Sequence, residues 1–167
     1  MNFKKIALIG LCTIAFGCKG NTQKESSNKK SSNTFKVTKT PAEWKKQLTD
    51  MQYYVMRQQG TEPAFSSPLY NNHAKGTYVC VADGTPLFKS EYKFDSGTGW
   101  PSFDRPVKGN IGVAKDNKLG YSRNEVHCAV CGGHLGHVFN DGPVQTTGKR
   151  YCIDGVALKF IPAKDEQ

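Results

Sequence analysis

Tyr121-Ser122-Arg123-Asn124-Glu125-Val126-His127-Cys128-Ala129-Val130, then Cys131-Gly132-Gly133, then His134-Leu135-Gly136-His137-Val138-Phe139: a long β-rich run, a turn and a second strand-like run follow one another directly. Upstream, Ile111-Gly112-Val113-Ala114 and the turn at Asp116-Asn117 make the long run the second strand of a hairpin. Further back, Thr77-Tyr78-Val79-Cys80-Val81 is β-rich and stops at Asp83-Gly84. Downstream, Asp141-Gly142-Pro143 is another turn. Lys149 to Ile161 forms one or two final strands broken at Asp154-Gly155, with Val156, Leu158 and Phe160 alternating toward a core. Before all of this, Thr40-Pro41-Ala42-Glu43 opens a helix, since Thr caps, Pro suits the first helical position and Glu43 completes a capping box. Trp44, Leu48, Met51 and Val55 then recur at helical spacing on a face that packs on a core, in one helix or two pieces, until Gln59-Gly60. The fold class is mainly β: a single small antiparallel β-sheet domain with an N-terminal helical cover. Gly- and Pro-rich loops are expected to carry its site.

The first residues read as an export signal. Lys4 and Lys5 precede the apolar run Ile6 to Gly17, which is too short to span a bilayer comfortably. Ala15-Phe16-Gly17-Cys18 resembles a bacterial lipobox, which implies cleavage before Cys18 and a lipid on its sulfur; a plain secretory signal cut nearby is the alternative. The expected organisation is a signal over residues 1–17, a lipid-anchored flexible tether over 18–39, a domain over 40–163 and a tail over 164–167. The tether is Ser, Asn, Lys and Thr with almost no apolar residues to offset its ordering entropy.

The formal net charge of +9 sits almost wholly in the leader. Residues 1–39 hold eight Lys and one Glu, leaving 15 basic and 13 acidic residues in the domain, a balance that gives no footing for nucleic-acid binding. A basic tether complements an anionic membrane surface. No segment after residue 17 is a transmembrane candidate.

Three blocks carry chemistry. Arg150-Tyr151-Cys152 places a cation two residues from a thiol, on the same face of an extended strand, where it favours the thiolate. His134 and His137 offer proton donors, or metal ligands. Trp100, held between Gly99 and Pro101 and beside Phe94 and Phe103, can form a rigid apolar wall, or belong to the core.

Together these blocks resemble the B-type methionine sulfoxide reductases, the peptide-methionine (R)-S-oxide reductases. The match extends to Arg57 with Gly60-Thr61-Glu62, Tyr78-Val79-Cys80, Pro86-Leu87-Phe88, Arg123 to Val126 and Phe160-Ile161-Pro162. The resemblance implies the family's β-tent fold and reduction of the R epimer of methionine sulfoxide in proteins or peptides. Cys152 would be the nucleophile and become a sulfenic acid. His134 and His137 would hydrogen-bond the sulfoxide oxygen, directly or through water, and Arg150 would favour the thiolate. Trp100 would receive the substrate methyl, with Phe103 and Asp154 also binding substrate. A thioredoxin-like dithiol would regenerate the thiol. The implied enzyme is a monomeric repair enzyme for exported proteins under oxidative stress, anchored on the outer side of a bacterial cell membrane. A non-catalytic zinc-binding or interaction module on the same fold, and a thiol redox sensor, are the alternatives.

The chain departs from the family at three positions. Thr98 stands where many members carry a resolving Cys. Asp154 stands where Asn is usual, and its charge would raise the Cys152 pKa unless Arg150 pairs with it. Cys128 and Cys131 match one of the two Cys-x-x-Cys pairs of zinc-bearing members, whereas the other reads Cys80-Val81-Ala82-Asp83. Zinc accepts carboxylate oxygen, so Cys80, Asp83, Cys128 and Cys131 form the expected structural zinc site, with no organic cofactor. The competing readings are free thiols, a disulfide, or a resolving role, with Asp83 merely opening the turn at Gly84.

Overall fold

The computed structural model describes residues 35–164. The signal segment, Cys18 and the tether up to residue 34 lie outside the described residues, as does the tail beyond residue 164.

The helical cover is in two pieces. Thr40 caps α1 (Pro41–Gln47) and Thr49 caps α2 (Asp50–Gln58), each with a complete capping box, to Glu43 and to Gln52. The break between them resets the helical phase. Trp44, Leu48, Val55 and Met56 are buried, while Met51, expected on the same face, is 41 % exposed.

Nine strands follow among the described residues: β1 (Gly76–Cys80), β2 (Pro86–Lys89), β3 (Lys93–Phe94), β4 (Ser102–Phe103), β5 (Ile111–Asp116), β6 (Arg123–Cys128), β7 (His134–Phe139), β8 (Arg150–Ile153) and β9 (Leu158–Pro162). They form a three-stranded sheet in the order β2-β1-β9 and a six-stranded sheet in the order β3-β4-β8-β7-β6-β5, with every pairing antiparallel. The final run read from Lys149 to Ile161 is thus two strands in different sheets. The 3-10 turn Gly155–Ala157 carries the chain from one to the other.

The core lies between the sheets and the helices. Phe88 of the small sheet stacks on Phe103 of the large one at 4.3 Å between ring centroids, and Tyr78 meets Phe103 edge-on at 5.0 Å. Val126, Leu135 and Ile153 complete the inner face of the large sheet, and Trp44, Val55 and Met56 close it from the helices. Alternation along β8 sends Tyr151 and Ile153 inward and leaves Arg150 and Cys152 on the other face.

Two apolar residues before Thr40 also pack on the domain. Phe35 and Val37 are the only large apolar residues of the segment read as tether. Phe35 packs edge-on against His127 at 5.8 Å, and the Val37 N–H donates to the Val130 carbonyl at 3.0 Å. Among the described residues no helix is long and apolar enough to cross a membrane.

Candidate active site and metal centre

The outer face of the large sheet carries one rank of side chains across five strands. The register pairs Phe94 with Ser102, Ser102 with Cys152, Cys152 with His137, and His137 with Glu125. Directly opposed residues of antiparallel strands share a face, so strand pairing alone brings Cys152, His137 and Glu125 together. A cavity of about 130 Å³ opens over this rank, walled by Cys152, Trp100, His137, Phe139, Arg123 and Asp154.

His134 and His137 are three residues apart, which would put them on opposite faces of a regular strand. The register shift between Val126 and His127 admits one extra residue on β7 and returns both to one face, their rings 5.3 Å apart. Gly136 makes this possible. Its φ is +149°, and a Cβ there would meet the Cys152 carbonyl oxygen at 2.1 Å. A glycine inside an apparent strand is the signal in the sequence for such a bulge.

Each histidine is anchored on a carboxylate. His137 Nε2 donates to Asp116 Oδ2 at 2.8 Å, and Arg123 binds the same oxygen at 2.6 Å. A carboxylate only accepts, so the network assigns the His137 proton to Nε2. Burial pushes the His137 pKa below its usual value against the pull of Asp116. Asp116 lies well below the carboxylate range, chiefly through the Lys118 backbone N–H and then His137. His134 is 2 % exposed and does not line the cavity. Its Nδ1 donates to Glu125 Oε1 at 2.7 Å, and Gln59 Nε2 holds the same oxygen at 2.9 Å.

Cys152 is half-buried, with Thr98 Oγ1 3.7 Å from its sulfur. Burial dominates and raises its pKa; Thr98, Arg150 and Ser102 pull it down, and Asp154 adds to the rise. Arg150 therefore acts in the expected direction without prevailing. Arg150 does not pair with Asp154, because its guanidinium forks onto Asp141, Nε to Oδ1 at 3.0 Å and Nη2 to Oδ2 at 2.8 Å, while lying over the Phe139 ring at 4.5 Å. Asp154 turns inward instead and accepts the Glu62 N–H on Oδ1 at 2.9 Å.

Trp100 lines the cavity, and its indole N–H donates to the Glu62 carbonyl at 3.1 Å. The tightness of this loop requires Gly99, with φ +92° and space for a Cβ only 2.8 Å from the Ala64 side chain. Phe103 must be corrected: it pairs with Tyr151 rather than Cys152, faces inward, is fully buried, and belongs to the core stack. The second aromatic wall is Phe139, which alternation from His137 along β7 points to. The expectation that loops carry the site also changes. Loops supply Thr98 and Trp100, but strands supply Cys152 and both histidines.

A second cluster lies where the two sheets meet. Cys80 ends β1, Asp83 lies in the turn before β2, Cys128 ends β6 and Cys131 lies in the turn before β7. One ligand atom from each falls within 4.8 Å of all the others. The Sγ atoms of Cys80 and Cys131 are 3.8 Å apart, and Cys128 Sγ is 3.2 Å from Asp83 Oδ2. These separations match the edges of a tetrahedron whose centre is about 2.0–2.3 Å from each corner, and they are too long for an S–S bond. Asp83 Oδ1 caps the turn by accepting the Thr85 N–H at 2.8 Å, and this leaves Oδ2 facing the thiols. Hydrogen bonds from Cys131 and Cys80 hold the Cys128 pKa low, and bonding to Cys128 pushes Cys80 up to about 12. Three buried thiols and a carboxylate aimed at one point are a donor set that could hold a metal ion.

A family model described as the SelR domain matches residues 48–162. The peptide methionine sulfoxide reductase MsrB of Leptospira interrogans is 55 % identical over 127 residues, covering 75 % of this chain and 96 % of that protein. The protein of the same name from Agrobacterium fabrum is 51 % identical over 128 residues, 76 % of this chain and 94 % of its own length. That of Methanosarcina barkeri is 53 % identical over 125 residues, 74 % and 87 % respectively.

Proposed function

The chain belongs to the B-type peptide methionine sulfoxide reductases, and from that premise we propose that Cys152 is the nucleophile that takes the oxygen of a methionine (R)-sulfoxide and becomes a sulfenic acid. The protein is a peptide-methionine (R)-S-oxide reductase. The observation that carries the assignment of roles is the cavity itself. A thiol, an aromatic wall and an anchored imidazole share one small space on a single strand rank.

In this reading the substrate methyl lies against Trp100 and Phe139, and the sulfoxide sulfur faces Cys152. His137, its ring fixed by Asp116 through Nε2–H, donates to the oxygen from its remaining nitrogen in the imidazolium form. Arg150 supplies a fixed positive charge against the burial that raises the thiol pKa. Stereoselective reduction of a sulfoxide peptide by wild type and by Cys152→Ser tests the assignment. Reduction of the S epimer, or retained activity in the variant, overturns it.

Recycling proceeds by direct attack of an external dithiol on Cys152. Thr98 occupies the adjacent position but has no sulfur, and the three remaining thiols among the described residues are drawn into the metal cluster. A sulfenic acid should be trappable at Cys152 when substrate is added without reductant, and Thr98→Cys should convert it to a disulfide between the introduced thiol and Cys152. A stoichiometric disulfide from Cys152 to Cys80, Cys128 or Cys131 in the wild type excludes this route.

Zinc, held by Cys80, Asp83, Cys128 and Cys131, would neutralise the thiolates and clamp the two sheets. For localisation, the lipobox-like Ala15-Phe16-Gly17-Cys18 and the basic run after it support export and tethering to a membrane through a lipid on Cys18, where the protein would repair oxidised exported proteins as a monomer. Mass analysis of the native mature N-terminus decides this; an unlipidated terminus makes the protein a soluble exported enzyme.

A further inference from the structure

Asp154 and His134 face each other in an arrangement the reaction scheme above leaves unused. His134 Nε2 is buried without a hydrogen-bond partner, although Nδ1 of the same ring is bonded to Glu125. Asp154 Oδ2 lies 4.0 Å from that nitrogen, while Oδ1 is occupied by the Glu62 N–H. The separation is too long for a direct hydrogen bond. It is short enough for one oxygen atom, at about 2.8 Å from each, to bridge both in a bent geometry. Asp154 is 3 % exposed, yet it contributes to the wall of the cavity that holds Cys152. Two polar atoms with unmet capacity thus converge at the wall of the cavity that Cys152 also lines.

The reaction places an oxygen in that cavity and requires a proton on it. We propose that Asp154 is a catalytic acid: its carboxyl group donates the proton that the departing sulfoxide oxygen needs, and His134 Nε2, unprotonated while Nδ1 donates to Glu125, accepts from the hydroxyl so formed. The proposal rests on the sulfoxide reductase reading above. Over the step the sulfoxide S–O bond breaks and its electron pair stays on the methionine sulfur, which leaves as the thioether. A Cys152 S–O bond forms from the thiolate pair, and the Asp154 proton completes the sulfenic acid. Methionine sulfur is reduced by two electrons, Cys152 sulfur is oxidised by two, and Asp154 is left as carboxylate. A dithiol then reduces the sulfenic acid, releasing water and restoring the thiol. Ionisation of that thiol for the next cycle returns a proton to Asp154.

The protonation state supports this assignment. Burial raises the Asp154 carboxyl to about 7, against the Glu62 backbone bond and the charge of His134, with the Glu62 carboxylate adding to the rise. His134 from β7 and Glu62 from the segment after α2 lie against it, and His137 from β7, Cys152 from β8 and Arg123 from β6 share the cavity wall with it. Asn, usual here in the family, could occupy the same space and accept the same Glu62 N–H, but has no acidic proton to give.

The test is single-turnover reduction of a methionine-(R)-sulfoxide peptide by wild type and Asp154→Asn, without reductant, over about pH 5–9. In the wild type the chemical rate should fall as pH rises through the Asp154 titration near 7. Asp154→Asn should be slower by roughly 10- to 100-fold below that pH and should lose the falling limb. It should also show faster alkylation of Cys152 near neutrality, since a charge that opposes the thiolate is gone. A variant with the wild-type rate and the wild-type falling limb overturns the proposal. Should the variant fail to fold, carbon-13 NMR of the aspartate carboxyls in the wild type decides: an Asp154 signal that titrates near neutral pH supports the acid, and one ionised throughout the range overturns it. A wild type that cannot reduce the peptide at all defeats the functional reading, a distinct outcome.

Discussion

Two regions of this molecule gather cysteine sulfur beside carboxylate oxygen, and they do opposite things with it. At the junction of the sheets, Cys80, Cys128, Cys131 and Asp83 point at one another, and the three thiols are fully buried. Over the large sheet, Cys152 faces an open cavity whose wall includes Asp154, and three other carboxylates are turned to partners of their own: Asp116 to His137 and Arg123, Glu125 to His134, Asp141 to Arg150. A thiol among thiols and a carboxylate is placed as a ligand for a metal ion. A thiol facing space, with a guanidinium and hydroxyls around it, is a reagent.

Removing Cys152 gives the largest expected effect. Cys152→Ser should lower sulfoxide turnover by more than about 10³-fold while leaving metal content and melting temperature unchanged. If serine at Cys80, Cys128 or Cys131 instead abolished the chemistry in folded protein, the division between the two regions would be wrong. Next comes His137→Ala, expected to slow the single-turnover step by about 10²- to 10³-fold, with His134→Ala behind it at about 10- to 100-fold. Wild-type rates in both would remove the imidazoles from the site.

Trp100→Ala should cost about tenfold in kcat/KM on a sulfoxide peptide, yet Cys152 should still react with a small alkylating agent. Unchanged turnover would make Trp100 structural. In the other region, Asp83→Ala should deplete bound metal and lower the melting temperature by roughly 5–10 °C, with little change in the alkylation of Cys152. A metal-free wild-type protein of full stability would erase the metal half of the comparison. The smallest effect is in pH dependence. Burial raises the Cys152 pKa, so its alkylation rate should still be climbing above about pH 8.5, the ordinary thiol value. Arg150 opposes that rise, so Arg150→Ala should move the curve to higher pH; a shift to lower pH would mean that the Arg150 charge is spent entirely on Asp141.

Much of this organisation is legible in the residues. Glycine-marked turns and β-rich runs point to the antiparallel class, and the Thr40 box marks the start of α1. Thr49-Asp50-Met51-Gln52 is the same signal again, and a reading that passes over it puts Met51 on the wrong face. The two-residue strands β3 and β4 are too short to show a period, so nearness in sequence groups Phe103 with Trp100. Pairing with β8, a contact some 50 positions away, turns it into the core instead. The partners of the histidines, Asp116 and Glu125, are hidden for a similar reason, since only the register of β5, β6 and β7 selects them.

That register has a bearing on how the protein is measured. The rank Ser102–Cys152–His137–Glu125 is held in line by strand pairing alone, and a slip of one residue between β7 and β8 would bring Tyr151 to the cavity and send Cys152 into the core. No intermediate alignment keeps the thiol beside the imidazole. Activity per mole should therefore act as a head count: a preparation at half its full specific activity holds half its molecules silent and half fully competent, a mixture that burst titration of the sulfenic acid would reveal as a reduced amplitude with an unaltered rate.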